Sequence, residues 1–427
     1  FHSPNQPMLN SRVLVLFGFL LALDFYTFQA LRIMAQSWSG IWRTSAFAFF
    51  WAFTLFTIGY SLAAMSMGDS FWVKQVHTYL RTIIFIVYLS KLLTIPFLAI
   101  DDVRRGIQWI ANYLGGSGVR DTSRSRFLTQ FGLVMGSIPF VSLTYGMLRN
   151  PYRYKLFRVP VTFDNLPKGL QGLRIIHISD IHSGSFTFKE PVKAAIDMIN
   201  AQKPDLVFFT GDLVNNRADE MYPYLDVFDK IESKYGVYSI VGNHDYGDYE
   251  EWPSPEAKVA NFELLKEMHR TLGWNLLLNE HRFVEINQHQ LAVVGVENYS
   301  AHLRFPRHGN LSLATKGTES ADFKILLSHD PSHWDVQVNK EFPDIRLMLS
   351  GHTHGMQFGV EIPGWIKWSP IKYMYKQWAG LYQQGQQYLY VNRGLGFLGY
   401  PGRVGILPEI TLLELQSGKQ PLNAELS

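Results

Sequence analysis

Cysteine is absent from the 427 residues. That excludes disulfides, thiolate metal ligands and cysteine nucleophiles. Net charge is nearly absent as well: 39 Lys and Arg against 36 Asp and Glu leave +3. A chain so close to neutral has no large basic field, and no nucleic-acid partner is expected. Internal repeats and low-complexity tracts are lacking. Residues 1–10 lack the cationic stretch of a secretory leader and are expected to form a disordered tail.

Charge is missing from whole stretches of the first third. Four apolar runs, residues 13–33, 45–67, 80–100 and 127–148, are each about 20 residues long, the length a helix needs to cross a bilayer core of roughly 30 Å. A soluble bundle would alternate apolar and polar residues at helical spacing, whereas these runs are apolar all round. Residues 1–150 are therefore expected to form a transmembrane domain of four helices in a lipid bilayer. Asp24 and Lys91 interrupt two of the runs. Such groups are costly at that depth unless paired or facing a polar cavity, so they mark either a polar site or one structural ion pair. Lys and Arg are balanced between the two sets of loops, and the positive-inside rule assigns no side of the membrane to the rest of the chain. Residues 151–172 begin basic and aromatic. They suit the headgroup layer, or equally an ordinary linker with a first edge strand.

From residue 173 to 427 the pattern is that of a different domain. Short runs rich in Val, Ile and Leu predict buried strands at 174–179, 206–210, 237–241, 291–296, 324–328, 346–350, 388–391 and 410–415. Amphipathic stretches predict helices at 190–202, 222–234 and 256–272, which gives an α/β domain with helices covering a sheet. Five of the strands deliver polar residues at their carboxyl ends: Asp180 and His182; Asp212; Asn243, His244 and Asp245; His329; His352 and His354. Ligands of open α/β sheets bind beyond that edge. Gly-His-X-His, Asp-X-His and Gly-Asp are each common by chance, and a lone histidine is more often a core residue than a ligand. Five such motifs, each directly after a buried strand, are another matter. Imidazole and carboxylate together suit a pair of divalent transition metals, and phosphoester hydrolysis needs such ions to neutralise the oxygens around phosphorus. Gly211, Gly242 and Gly351 are expected to permit the tight turns that bring the ligands inward.

In this order the motifs resemble the calcineurin-like metallophosphoesterase superfamily, over about residues 174–415. The bacterial membrane-associated branch is the nearest likeness, through Gly-His-Thr-His-Gly, the later Asn392–Gly396 segment and Pro408-Glu409-Ile410. The resemblance implies a sandwich of two mixed sheets flanked by helices, in a protein of the bacterial cytoplasmic membrane. It implies two divalent ions (manganese, iron or zinc), one held by Asp180, His182 and His354 and the other by Asn243, His329 and His352. Asp212 would bridge them and hold a hydroxide between them. His244 would act on the phosphate, with Asp245 orienting its imidazole. Many relatives have Gly-Gly-Gln after the last histidine, where this chain has Gly355-Met356-Gln357.

An aromatic and basic stretch comes next, with Trp365, Trp368, Tyr373 and Trp378. Together with Met356 it is expected to form a rim that dips into the headgroup layer, although such aromatics also fill satellite cores. A rim of this kind on a membrane-bound hydrolase suggests an amphiphilic phosphoester substrate. The competing functions are a tethered phosphatase or phosphodiesterase for soluble substrates, and a non-catalytic scaffold.

Overall fold

The computed structural model describes residues 11–64, 71–115, 122–362 and 364–418. The tail at residues 1–10 and the end of the second apolar run, residues 65–67, lie outside them. The chain divides into two compact units, Phe1–Tyr145 and Gly146–Ser427.

Among the described residues, four helices are long and apolar enough to cross a membrane. They are α1 (Ser11–Met34), α2 (Gly40–Ala64), α3 (Phe71–Tyr113) and α4 (Thr122–Arg149). The third is much longer than its apolar run. Its 43 residues extend roughly 65 Å at about 1.5 Å per residue, twice the bilayer core. Helix α4 meets α3 through small residues. A Cβ at Gly136 would fall on the Thr94 hydroxyl and the Ser90 carbonyl, and one at Gly132 would lie 2.9 Å from Phe97 Cβ. Two glycines four residues apart thus let the helices approach closely, which substitutes for the hydrophobic drive that lipid cannot supply. Asp24 and Lys91 form the structural pair, with Nζ 2.5 Å from Oδ1.

Among the described residues, the second unit is built on fourteen strands. In chain order they are β1 (Lys155–Phe163), β2 (Arg174–Ile178), β3 (Leu206–Phe209), β4 (Val237–Ser239), β5 (Asn275–Leu276), β6 (Glu280–Ile286) and β7 (His289–Gly295). After these come β8 (Phe323–Leu327), β9 (Leu347–Ser350), β10 (Val360–Ile362), β11 (Ile366–Trp368), β12 (Gly380–Gln384), β13 (Gln387–Val391) and β14 (Glu409–Ser417). One sheet runs β1-β14-β2-β3-β4-β5 and the other β12-β13-β9-β8-β7-β6, with β10 and β11 a separate hairpin. Strand β1, within the stretch expected to link the two parts, is the edge of the first sheet and pairs in parallel with β14.

Alternation along the strands makes the layers. Leu206 and Phe208 of β3 point into a core shared with Leu291, Ile325 and Leu347 of the second sheet. Val207 and Phe209 point the other way, to the helices α5 (Lys189–Asn200) and, after the short α6 (Leu225–Phe228), α7 (Pro255–Thr271). Strands covered on both faces read as unbroken apolar runs for this reason. Helix α5 buries Val192, Ala195, Ile196 and Ile199, one stripe at helical spacing. Helix α7 starts where Ser254 Oγ accepts from the Ala257 amide, with Pro255 at its first position.

One helix differs from expectation. Only Leu225–Phe228 of residues 222–234 is α-helical, after a 3₁₀ turn at Ala218–Tyr224 that contains Pro223. Beyond it the Asn200 side chain takes over the backbone, donating to the Lys230 carbonyl (2.7 Å) and accepting from the Glu232 amide (3.0 Å). A side-chain amide that satisfies those groups removes the reason to continue the helix.

Candidate metal centre

The five polar loops leave the carboxyl ends of β2, β3, β4, β8 and β9, three from the first sheet and two from the second. Their backbone is strained. Asp180, His182, Asp212, His352 and His354 all have positive φ, between 47° and 70°. Residues other than glycine rarely adopt that conformation, and it persists where the surroundings over-determine it.

The turns aim two sets of donor atoms inward. In the first, Asp180 Oδ1 lies 3.2 Å from His354 Nε2, which lies 3.0 Å from His182 Nε2. In the second, Asp212 Oδ2 lies 3.1 Å from His329 Nε2. His352 Nδ1 lies 3.2 Å from that nitrogen and 2.8 Å from Asn243 Oδ1. The same Asp212 oxygen stands 3.5 Å from His182 Nε2. It therefore faces both sets.

The donor set suits cations. Burial pushes the imidazole of His182 down to about 3 and that of His352 down to about 4, so both are neutral, the form that ligates. Burial works against the charge on Asp180 and Asp212, but His354 and His329 outweigh it and hold both carboxyls well below the usual range. Against burial, Asp212 in turn raises the His329 imidazole to about 10, so the two buried carboxylates draw positive charge into the pocket, a charge that a bound cation would supply in the proton's place. The donors of Asp180, His182 and His354, and those of Asp212, His329 and His352, each lie within 4.8 Å of one another. The residues fit a pair of divalent ions.

An outer layer fixes the donors. His329 Nδ1 lies 2.7 Å from the Thr210 carbonyl, which accepts its proton and turns Nε2 inward. His352 Nε2 lies 2.9 Å from the Tyr375 hydroxyl, which donates to Asp330 Oδ2 at 3.2 Å. Asn243 Nδ2 donates to the Tyr249 hydroxyl at 2.9 Å. Asp330, Tyr249 and Tyr375 carry no motif that marks them in the sequence. Nor does the segment at 302–305, where His302 stands 4.8 Å from Tyr375 and Phe305 4.7 Å from His352, ring to ring. Tyr375→Phe is expected to weaken metal binding about ten- to a hundredfold, because it frees the outer nitrogen of His352. Competition with a chelator measures this, and wild-type affinity in the variant would remove Tyr375 from the site.

Asp245 is not the partner of the His244 imidazole. Its buried carboxylate accepts from the backbone amides of Asp212 (2.9 Å), Leu213 (2.8 Å) and Gly242 (2.8 Å). Three N–H groups from two loops outcompete a single ring nitrogen, so Asp245 ties the β3 and β4 loops together. The His244 imidazole is instead held at Nδ1 by the Asn215 carbonyl, at 2.7 Å. The Asn215 amide donates in turn to Glu220 Oε2, at 2.6 Å. A carbonyl only accepts, so Nδ1 carries the proton and Nε2 is left to a substrate. The His244 ring is 5.0 Å from that of His182.

Two of the three glycines act through space rather than turn geometry. A Cβ at Gly351 would collide with Asp180 Oδ2 and Ser179 Oγ, and one at Gly242 with Asp212 Oδ1. Only Gly211 has positive φ, at 91°.

Of the expected rim, Trp365 (77%), Tyr373 (75%) and Met356 (53%) are exposed, and Trp368 is half-buried. Trp378 is not at the rim. It is 5% exposed, within a small core of Ile371, Tyr375, Ala379 and Ile406. Its carbonyl accepts from the Thr353 hydroxyl at 2.6 Å, which braces the turn between His352 and His354.

Residues 10–151 match the family described as "Probable Calcineurin-like phosphoesterase, transmembrane domain", and residues 173–356 match "Calcineurin-like phosphoesterase". An uncharacterized metallophosphoesterase of Bacillus subtilis, YkuE, is 30% identical over 70% of this chain and 99% of its own length. A zebrafish (Danio rerio) "Transmembrane protein with metallophosphoesterase domain" is 31% identical over 65% of this chain, which spans only 61% of that relative. Among solved structures, the Thermus thermophilus sulfate thiohydrolase SoxB is 14% identical, with a TM-score of 0.35 over 59% of this chain and 57% of its own. Members of the family typically bind divalent metals. The chain is a membrane protein belonging to the calcineurin-like phosphoesterase family, with the family's transmembrane domain ahead of its phosphoesterase domain.

Proposed function

We propose that the protein hydrolyses a phosphoester at this centre and that its substrate is amphiphilic. The observation that carries the reading is Asp212 Oδ2, one oxygen facing both donor sets at 3.1 and 3.5 Å. Asp180, His182 and His354 would hold one divalent ion and Asn243, His329 and His352 the other, with Asp212 common to both. Ions bound there supply Lewis acidity toward the phosphoryl oxygens and make a bound water acidic near neutral pH. His244 is fixed through Nδ1–H, and as an imidazolium it would donate from Nε2–H to a phosphoryl oxygen or give that proton to the leaving oxygen as the P–O bond breaks. The strained turns keep these groups in place before substrate arrives. The amphiphilic substrate is supported by the membrane domain and by exposed Trp365 and Tyr373.

The test is metal analysis paired with a hydrolysis screen, on the wild type and His244→Ala. The variant is expected to keep its metals and lose turnover by about a hundredfold or more. Loss of metal in His244→Ala would contradict its role, and a metal-free wild type would favour a scaffold. Efficient cleavage of soluble aryl phosphodiesters, with no lipid phosphoester cleaved in any detergent, would remove the amphiphilic substrate.

A further inference from the structure

We propose that the helical unit carries an anion site of its own, for a phosphate-bearing headgroup. A cavity of about 470 Å³ opens where α1 hands over to α2, lined among others by Tyr26, Arg32, Arg43, Asp101, Asp102 and Arg105. Its depth is set by sequence. Arg32 closes the apolar run of α1, Arg43 lies in the first turn of α2, and Asp101 directly follows the apolar run of α3. All lie where the spans leave the hydrocarbon layer, at the level of phosphate groups.

The charges in the cavity do not cancel. Asp101 Oδ1 accepts from Arg104 Nη2 (2.8 Å) and Ser125 Oγ (2.9 Å). Asp102 accepts from Arg105 Nη2 (2.6 Å) and the Tyr26 hydroxyl (2.8 Å). Both carboxylates are thus satisfied by Arg104 and Arg105. Among the described residues, Arg32 donates only to the neutral Gln29 side chain, at 3.0 Å. Arg43 has no side-chain partner among the described residues. Two guanidinium groups therefore line one cavity whose two carboxylates are already paired with other arginines. Both side chains are exposed along the cavity wall, where an anion can take donors from each. Guanidinium forks match the oxygens of a phosphate in pairs, and the bilayer presents phosphates at this depth. Flanking arginines that only obey the orientation rule would point into the headgroup layer singly. Here the paired acids hold the cavity open, and the spare cations line it.

The test uses the full chain purified in a neutral detergent. Its thermal unfolding is measured with added phosphatidylglycerol, phosphatidylcholine or inorganic phosphate, for the wild type, Arg32→Gln, Arg43→Gln and the double variant. Phosphatidylglycerol is expected to raise the melting temperature of the wild type, with phosphatidylcholine giving less. Each substitution is expected to weaken the lipid's half-saturation between about ten- and a hundredfold, the loss of one charge-assisted contact. An equal response to inorganic phosphate would keep the site and make its source soluble. No anion-dependent shift in the wild type would overturn the proposal. So would an undiminished shift in either single variant, both of which leave the Asp101 and Asp102 network intact should the double variant not fold.

Discussion

Asp212→Asn is expected to abolish metal binding at both positions together. The substitution is nearly silent for the backbone. Asn tolerates the φ of 59° at this residue, and its Oδ1 still accepts from the His244 amide, 2.9 Å away in the wild type. What disappears is the negative charge on Oδ2, the oxygen that faces His329 on one side and His182 on the other. Losing several kcal/mol of charge stabilisation lowers turnover on the order of 10³-fold. Elemental analysis separates this from a general collapse of the site. Asp180 stands beside a ring nitrogen of the first donor set and meets the second only through the His352 backbone amide, so Asp180→Asn should retain the second ion. An Asp212→Asn protein that held one ion at full occupancy would show that the two sets do not share this oxygen.

The second large effect lies in the membrane. Lys91→Met is expected to destabilise the helical unit by about 3–5 kcal/mol, the usual result of removing one partner from a buried ion pair. Asp24 is fully buried, and its carboxylate joins three helices. It accepts from Lys91 Nζ and Tyr88 Oη of α3 (2.5 and 2.8 Å) and from Thr54 Oγ1 of α2 (2.8 Å). Taking away the ammonium leaves a carboxylate at mid-membrane with only hydroxyls for company. Removing both charges, as Asp24→Leu with Lys91→Met, should restore most of the loss, because no uncompensated ion remains. Unfolding in mixed detergent gives all four corners of the cycle. A single variant as stable as the wild type would mean the pair does not hold the helices. With every oxygen of Asp24 engaged, the polar-site reading of these two charges has no group left to act.

The metal-centre residues were legible because the local pattern and the topology point the same way. Each donor follows a run of Val, Ile, Leu or Phe that both sheet faces bury, and parallel strands of the two sheets bring those ends together. What was not legible depends on where a side chain turns. Asp245 adjoins His244 in sequence, yet its carboxylate goes to the amides of Asp212, Leu213 and Gly242. Trp378 and Tyr373 lie in one aromatic stretch, and composition does not say that the first is buried and the second exposed. Strand β6 was missed because of its position at the sheet edge. Of its seven residues only Val284 and Ile286 are buried, too few to show a run. The end of α3 was masked by charge. Asp101, Asp102, Arg104 and Arg105 look like the start of a loop, but their own i,i+3 pairs keep the helix going to Tyr113.

The five left-handed turns also bear on how such a chain would age if its activity ceased to matter. Asp180, His182, Asp212, His352 and His354 are each held in a conformation that costs of order 1–3 kcal/mol in a residue other than glycine. Without selection for the centre, asparagine or glycine at these places would relax the backbone and relieve the crowding of buried carboxylates, so drift would run toward a firmer and inert protein.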